Sequence, residues 1–426
     1  MGILSSFNIG VTGLHASGQS MSVIGDNIAN SNTFGYKASR AEFQDQLARS
    51  LKGIDGGDQI GTGTKLAHVK PKFTQGNVMR TENITDLAID GNGFFALDAP
   101  YGTGYTRDGS FHFDKEGNLI TGDGYKILGF QSNEDGKITN KTGPIKLGNT
   151  TIPANASTKV KISMNLDSRA EIQQFDATKP EKTSDYNTTI SVYDNVGTPR
   201  LVTVYFNKTA LNQWTYHAMV EGKDAEGGTD GNLVEMANGT LQFNEKGLLQ
   251  QETQGTNAFN FNKGAGQGQV IEFDFGTSIA EGGEGFDAST QYGSDSSVAR
   301  HSQDGYSAAT LASLSFNDDA VLTAVYDNGV TRDIAQVAVA KFDNNEGLYK
   351  MGKNLYKETR KSGQGVMGKP NKDGRGAILA KSIEQSNVDI ADEFINLMTA
   401  QRNFQANTRT ISTSDQMLQE VFQIKR

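Results

Sequence analysis

Two apolar stripes of helical period, one at each end of the chain, constrain the fold more than any other feature of this sequence. Leu4, Phe7, Val11, Leu14, Met21 and Ile28 fall on an alternating three-four spacing whose remaining positions are Gly18 and Gly25. That is a coiled-coil seam with two gaps. Ile390, Phe394, Leu397, Phe404, Ile411, Leu418 and Phe422 repeat the register at the other end, with Gln401, Thr408 and Asp415 in its remaining positions. A helix of about 30 residues is about 45 Å long, more than a small core requires. Gly10, Gly13, Gly18 and Gly25 each weaken the first helix by about 1 kcal/mol relative to alanine, so packing must hold it. A stripe at one end of a chain ordinarily packs on its own domain; two at opposite ends read as partners. The polar run DNIANSNTFGYK (26–37) should end the first helix, because Asn27, Asn30, Asn32 and Thr33 compete for the backbone and Gly35 permits a left-handed turn. Ser386 or Asn387 is the expected N-cap of the second.

Between the stripes the period shifts to two. Runs such as 94–97, 111–113 and 125–130 alternate with turn signals at Asp90-Gly91-Asn92-Gly93 and Arg107-Asp108-Gly109, the signature of short antiparallel strands. Gly 49 against Pro 7 suits many tight turns. The fold class is therefore mixed but mainly β, with nested discontinuous β domains and long terminal helices pairing as a coiled-coil-like inner domain. The expected divisions are 1–33 plus 384–426 for that inner domain, 34–70 for a connector with one short helix at 41–51, 71–146 plus 291–383 for a discontinuous β domain, and 147–290 for an inserted β domain. A strand–turn–strand echo recurs at FHFDKEGNL (111–119), LQFNEKGLL (241–249) and LSFNDDAVL (314–322); common hairpin chemistry explains it better than a solenoid repeat.

Composition narrows the function. A net charge of -9 with no basic run argues against nucleic acid and against an anionic membrane surface. No segment approaches the roughly 18 to 20 apolar residues of a membrane helix, and no cleaved secretory signal is visible. Cysteine is absent, which removes disulfides, thiolate metal sites and cysteine nucleophiles. The histidines, His15, His68, His112, His217 and His301, lack metal-ligand spacing. Gly363–Lys369 imitates a phosphate-binding loop but places Pro370 where Ser or Thr would hold magnesium. The acidic loop 224–231 lacks the ordered oxygen ligands of a calcium site. Neither a catalytic centre, a metal nor a cofactor is expected.

The motif at 26–37, with Asp26, Asn27, Asn30, Asn32, Thr33, Gly35, Tyr36 and Lys37, together with ITDLAIDGNGFFAL (84–97), YTRDGSFHFDKEGNLITGDGYKILGF (105–130) and the ending at 386–419, resembles the bacterial flagellar axial family of rod and hook proteins. The resemblance covers roughly 1–146 and 300–426; the large insertion favours the hook branch over the distal rod. It implies a non-enzymatic subunit, exported through the flagellar type III channel without a cleaved signal, that polymerises with itself into a helical tube outside the cell. The implied partners are further copies, the rod, the hook cap, the hook-filament junction proteins and the export apparatus, with no nucleic acid and no membrane insertion. The apolar seam residues would form the assembly interface, with Gln401, Thr408 and Asp415 fixing register. A β-rich glycan-binding protein or enzyme is the alternative from another class.

Overall fold

The computed structural model describes residues 3–46, 49–50, 59–133 and 136–424, and the chain divides into two compact units. The first comprises Met1–Gly148, Ser313–Ala324 and Thr331–Arg426; the second comprises Asn149–Ala312 and Val325–Val330.

In the first unit the two stripes do form helices, Ile3–Ala29 and Ile390–Ile424, and they pack on each other. The C-terminal helix is capped by Asp389, not by Ser386 or Asn387: its Oδ1 accepts the amides of Ala391 and Asp392 at 2.8 and 3.2 Å. The β part centres on Phe94–Ala99, which pairs antiparallel with Gly102–Thr106, Lys126–Ser132 and Val339–Lys341. Its continuous apolar run follows from burial on both faces. Phe95 and Leu97 join Leu87, Ile127 and Val337 in one cluster, whereas Phe94 and Ala96 join Tyr105, Phe342 and Tyr356 in another. The returning chain closes this unit: Ala377–Ala380 pairs with Leu87–Asp90, and Ser382–Glu384 with Val78–Arg80.

The short helix expected at 41–51 is replaced by strand. Ser39–Asp45 pairs with Thr64–Pro71, and Arg49–Ser50 with Gln59–Ile60, while 47–48 and 51–58 lie outside the described residues. Ala41, Glu42 and Gln44 favour helix individually, but a ladder of partners and packing against the N-terminal helix, where the Thr64 amide donates to Thr12 Oγ1 at 3.3 Å, outweigh that preference.

In the second unit a six-stranded antiparallel sheet, Tyr186–Tyr193 through Gln269–Val270, shares one core with a smaller sheet around Lys159–Asp167. Fully buried Trp214 donates from Nε1 to Gln291 Oε1 at 2.7 Å. The boundary expected at 290 falls too early, because Ser297–Gln303 pairs with Lys159–Asp167 and the unit continues to Ala312. The recurring strand–turn–strand echo is local turn chemistry. Asp114, Asn244 and Asn317 each accept two amides of their own turn, at 2.7 to 3.0 Å. In the 224–231 loop Asp224 is committed to Arg200 at 2.6 Å.

Burial pushes the Glu252 carboxyl of the second unit up to about 7 from its ordinary 4.5, against the amide of Phe275 that donates to it. A carboxyl raised on folding favours the protonated native state. Its contribution is complete below the unfolded value and disappears as pH rises through about 7, with a slope of at most about 1.4 kcal/mol per pH unit. The chain has one tryptophan, Trp214, so its fluorescence follows this unit. Urea midpoints read from Trp214 should fall between pH 5 and pH 8, and Glu252→Gln should flatten that dependence; an equal slope in the variant would exclude Glu252 as its source.

Candidate functional site

The helical clasp buries small and polar residues together with Ile24, and seats Ile411 of the C-terminal stripe against Gly10. Among the described residues, Gly10, Ala16, Ser17, Ile24 and Asn27 are the buried positions of the N-terminal helix, and Ala400 and Ser414 those of the C-terminal one. A Cβ on Gly10 would stand 2.9 Å from Ile411 Cγ1, and one on Gly13 would collide with the Asn407 side chain. These glycines let the helices approach closely. The expected seam flanks this line. Phe7, Val11, Leu14, Met21 and Ile28 are half-buried, as are Leu397, Phe404, Ile411 and Leu418, while Ile390 and Phe394 are exposed. The side chains of Leu4 and Phe422 lie outside the described residues. Gln401, Thr408 and Asp415 are exposed, and Thr408 Oγ1 donates to its own helix at Phe404 O, so they do not set register within this chain. Polar registration comes instead from Asn27, whose Nδ2 donates to Glu393 Oε1 at 3.1 Å, and from Asn407 opposite Gly13.

The motif at 26–37 anchors this clasp to the β part. Asn30 Nδ2 donates to the Asp26 carbonyl and carboxylate, and Thr33 Oγ1 to Asn30 Oδ1, closing the end of the helix. Asn27 then grips the departing chain, donating to Ser39 O and accepting the Ser39 amide, both at 2.8 Å. The buried Tyr36 hydroxyl donates to Asp26 Oδ2 at 2.9 Å, and burial, seconded by Asp26, raises its pKa. Lys350 lies 4.3 Å over the same ring. Asn32 is exposed and outside this network. Gly35 is required twice over: its φ is +66°, and a Cβ would stand 2.5 Å from the Asp108 amide nitrogen.

Beneath the turn lies a buried ionic cluster. Lys37 and Glu384 have no exposed side-chain surface, and their Nζ and Oε1 are 2.6 Å apart. Arg107 Nη1 meets Glu384 Oε2 at 3.2 Å, and the Gly76 amide donates to Oε1 at 2.8 Å. Lys37 also donates to Thr74 O, and Arg107 to Ile89 O and Gly91 O. Burial lowers the pKa of both cations against the opposing pull of Glu384. Meanwhile the Glu384 carbonyl accepts the Gly35 amide at 2.8 Å. Asn387 accepts from the Ala38 amide and donates to Lys72 O and Thr74 O. The roles of Arg107, Glu384 and Asn387 escaped the sequence reading; Arg107 looked like a turn residue, and only the charge of Glu384 directly after the apolar Ile383 hinted at an internal partner.

Elsewhere, residues Val366–Gly368 of the phosphate-loop imitation form a strand paired with Val339–Lys341, which gives no cradle of amides. Among the described residues no group of His, Asp and Glu is arranged to hold a metal. The cluster at Glu384 ties both chain ends to the β part through buried ion pairs. Removing the carboxylate that pairs with both buried cations should cost about 3–5 kcal/mol. Glu384→Gln should therefore lower the unfolding transition that Trp214 does not report, and Lys37→Met, which leaves Glu384 paired with Arg107, should lower it less. A change under about 1 kcal/mol for Glu384→Gln would remove the cluster from its anchoring role.

Sequence patterns of four related families match along the chain: flagella basal body rod protein at 7–37, flagellar hook protein FlgE/F/G D1 domain at 88–165, flagellar basal body protein FlaE D2 domain at 165–306, and flagellar basal body rod FlgEFG protein C-terminal at 379–424. Flagellar hook protein FlgE of Salmonella typhimurium is 31% identical over 426 residues, covering 99% of this chain and 100% of the relative. That of Escherichia coli K12 is 31% identical over 429 residues and that of Borreliella burgdorferi 32% over 447, with the same coverage. The crystal structure of Helicobacter pylori flagellar hook protein FlgE2 shares the fold, with a TM-score of 0.53 at 16% identity over 72% of this chain and 100% of that one. The 26–37 anchor falls where the rod-protein pattern ends, and Glu384 lies inside the C-terminal pattern, so both sides of the ionic junction lie in matched segments. With end-to-end identity to the relatives, this shows that the chain belongs to the flagellar hook protein family.

Proposed function

We propose that this chain polymerises as the subunit of the flagellar hook, a curved helical tube that transmits torque from rod to filament while it bends. The observation that carries the reading is the clasp of the two chain ends, which leaves large apolar side chains, Ile390, Phe394, Ile395 and Met398, facing solvent in a member of the hook family. Burying each between copies would contribute about 1.5–3 kcal/mol, enough to order helices that are weak alone. The half-buried stripes from Phe7 to Ile28 and from Leu397 to Leu418 belong to the same assembly surface. Copies joined by heterologous contacts make an open helix and line its channel with these helices. The second unit suits contacts that slide, since Thr189, Thr203, Asn238 and Thr253 make the outer face of its sheet largely polar, with Leu201 exposed among them.

Family membership supports the remaining partners: the rod, the hook cap, the hook-filament junction proteins and the export apparatus, in a flagellar location outside the cell. Ending the chain after Ile390 should abolish polymers while Trp214 fluorescence still reports a folded second unit; filaments of normal length from that truncation would refute the proposal. Electron microscopy of the full chain should show a curved tube, and a straight stiff one would point to a rod.

A further inference from the structure

The paired helices have two unlike sides. On one, a groove of about 1040 Å³ runs between them and the hairpin of Ser39–Asp45 and Thr64–Pro71. Its helical walls carry small residues, among them Ala16 and Ser20 from the first helix and Ala400, Asn403 and Ala406 from the second. On the other, Ile390, Phe394, Ile395 and Met398 are 46, 50, 56 and 50% exposed. Counted at about 100° per residue, Ile390, Phe394 and Met398 lie on the opposite side of the C-terminal helix from Asn403, with the line of contact to the first helix along one edge between them and Ile395 along the other. Charge is sorted the same way. Asp389 and Asp392 belong to the groove, whereas exposed Arg402 and Arg409 continue the ridge face. Arg40 and Lys72 enter the groove from the hairpin side, so the helical wall that an incoming helix meets there is the acidic one.

A ridge and a groove on opposite sides of one clasp cannot be joined within a chain. Nor are they self-complementary across a two-fold axis. Joined between copies they give a heterologous contact that leaves a free ridge and a free groove after every addition. We infer that the apolar ridge at Ile390–Met398 of one copy seats in the groove of the next, basic face toward acidic wall. This rests on the proposed self-assembly and specifies which surfaces perform it.

Because the chain has no cysteine, a crosslinking test starts without background. Full-length Ser20→Cys, in the groove, and Phe394→Cys, on the ridge, are mixed, assembled under reducing conditions, checked for tubes by electron microscopy and then oxidised. Disulfide-linked dimers that the mixture gives and that neither variant gives alone are the expected result. Tubes without such dimers would overturn the ridge-in-groove contact and leave self-assembly standing. If the unsubstituted chain forms no tubes, the proposed function fails, and this contact with it.

Discussion

One buried carboxylate bears on everything around it. Glu384 sits in the last strand before the C-terminal helix and accepts from Lys37, which follows the N-terminal helix, and from Arg107, which lies in the β part. A carboxylate stripped of water is tolerable only when opposite charge and hydrogen bonds replace the lost solvation, and those replacements come from three distant parts of the sequence. The β part cannot close correctly unless both chain ends return to one place. Glu384 thereby converts two remote helices into a pair with a defined starting point.

From that point the helices diverge from an ordinary apolar coiled coil. Gly10 and Gly13 admit Ile411 and Asn407 to close range, and Asn27 bonds to Glu393, so the clasp is formed largely by small and polar groups. Ile24 is buried with them, while most of the other large apolar side chains of the two helices remain half-buried or exposed. A monomer built this way holds its helices together and still leaves apolar side chains of the C-terminal helix in solvent.

Much of this was legible in the residues. Period alone located both helices, since a stripe at three-four spacing has no other economical use, and the change to period two located the β material. The polar motif at 26–37 was legible as the end of a helix, for Asn and Gly act there through local hydrogen bonds and local φ. What failed was whatever depended on a partner distant in sequence. Residues 41–45 prefer helix locally and became strand because Thr64–Pro71 lies beside them. The insertion ran past 290 because Ser297–Gln303 found its partner in Lys159–Asp167. Cap position moved to Asp389 because Asn387 was occupied by Ala38, Lys72 and Thr74.

The sequence by itself determined the helical ends, the β interior, the absence of thiol chemistry and the likeness to flagellar axial proteins, because each depends on local period, local turn chemistry or composition. Tertiary structure decided which side of each helix forms the clasp, which charges are buried together, and which apolar residues are left exposed. The physical reason is the same in each case: burial and desolvation belong to pairs of segments, and the free energy of Lys37, Arg107 and Glu384 has no value until all three occupy one site.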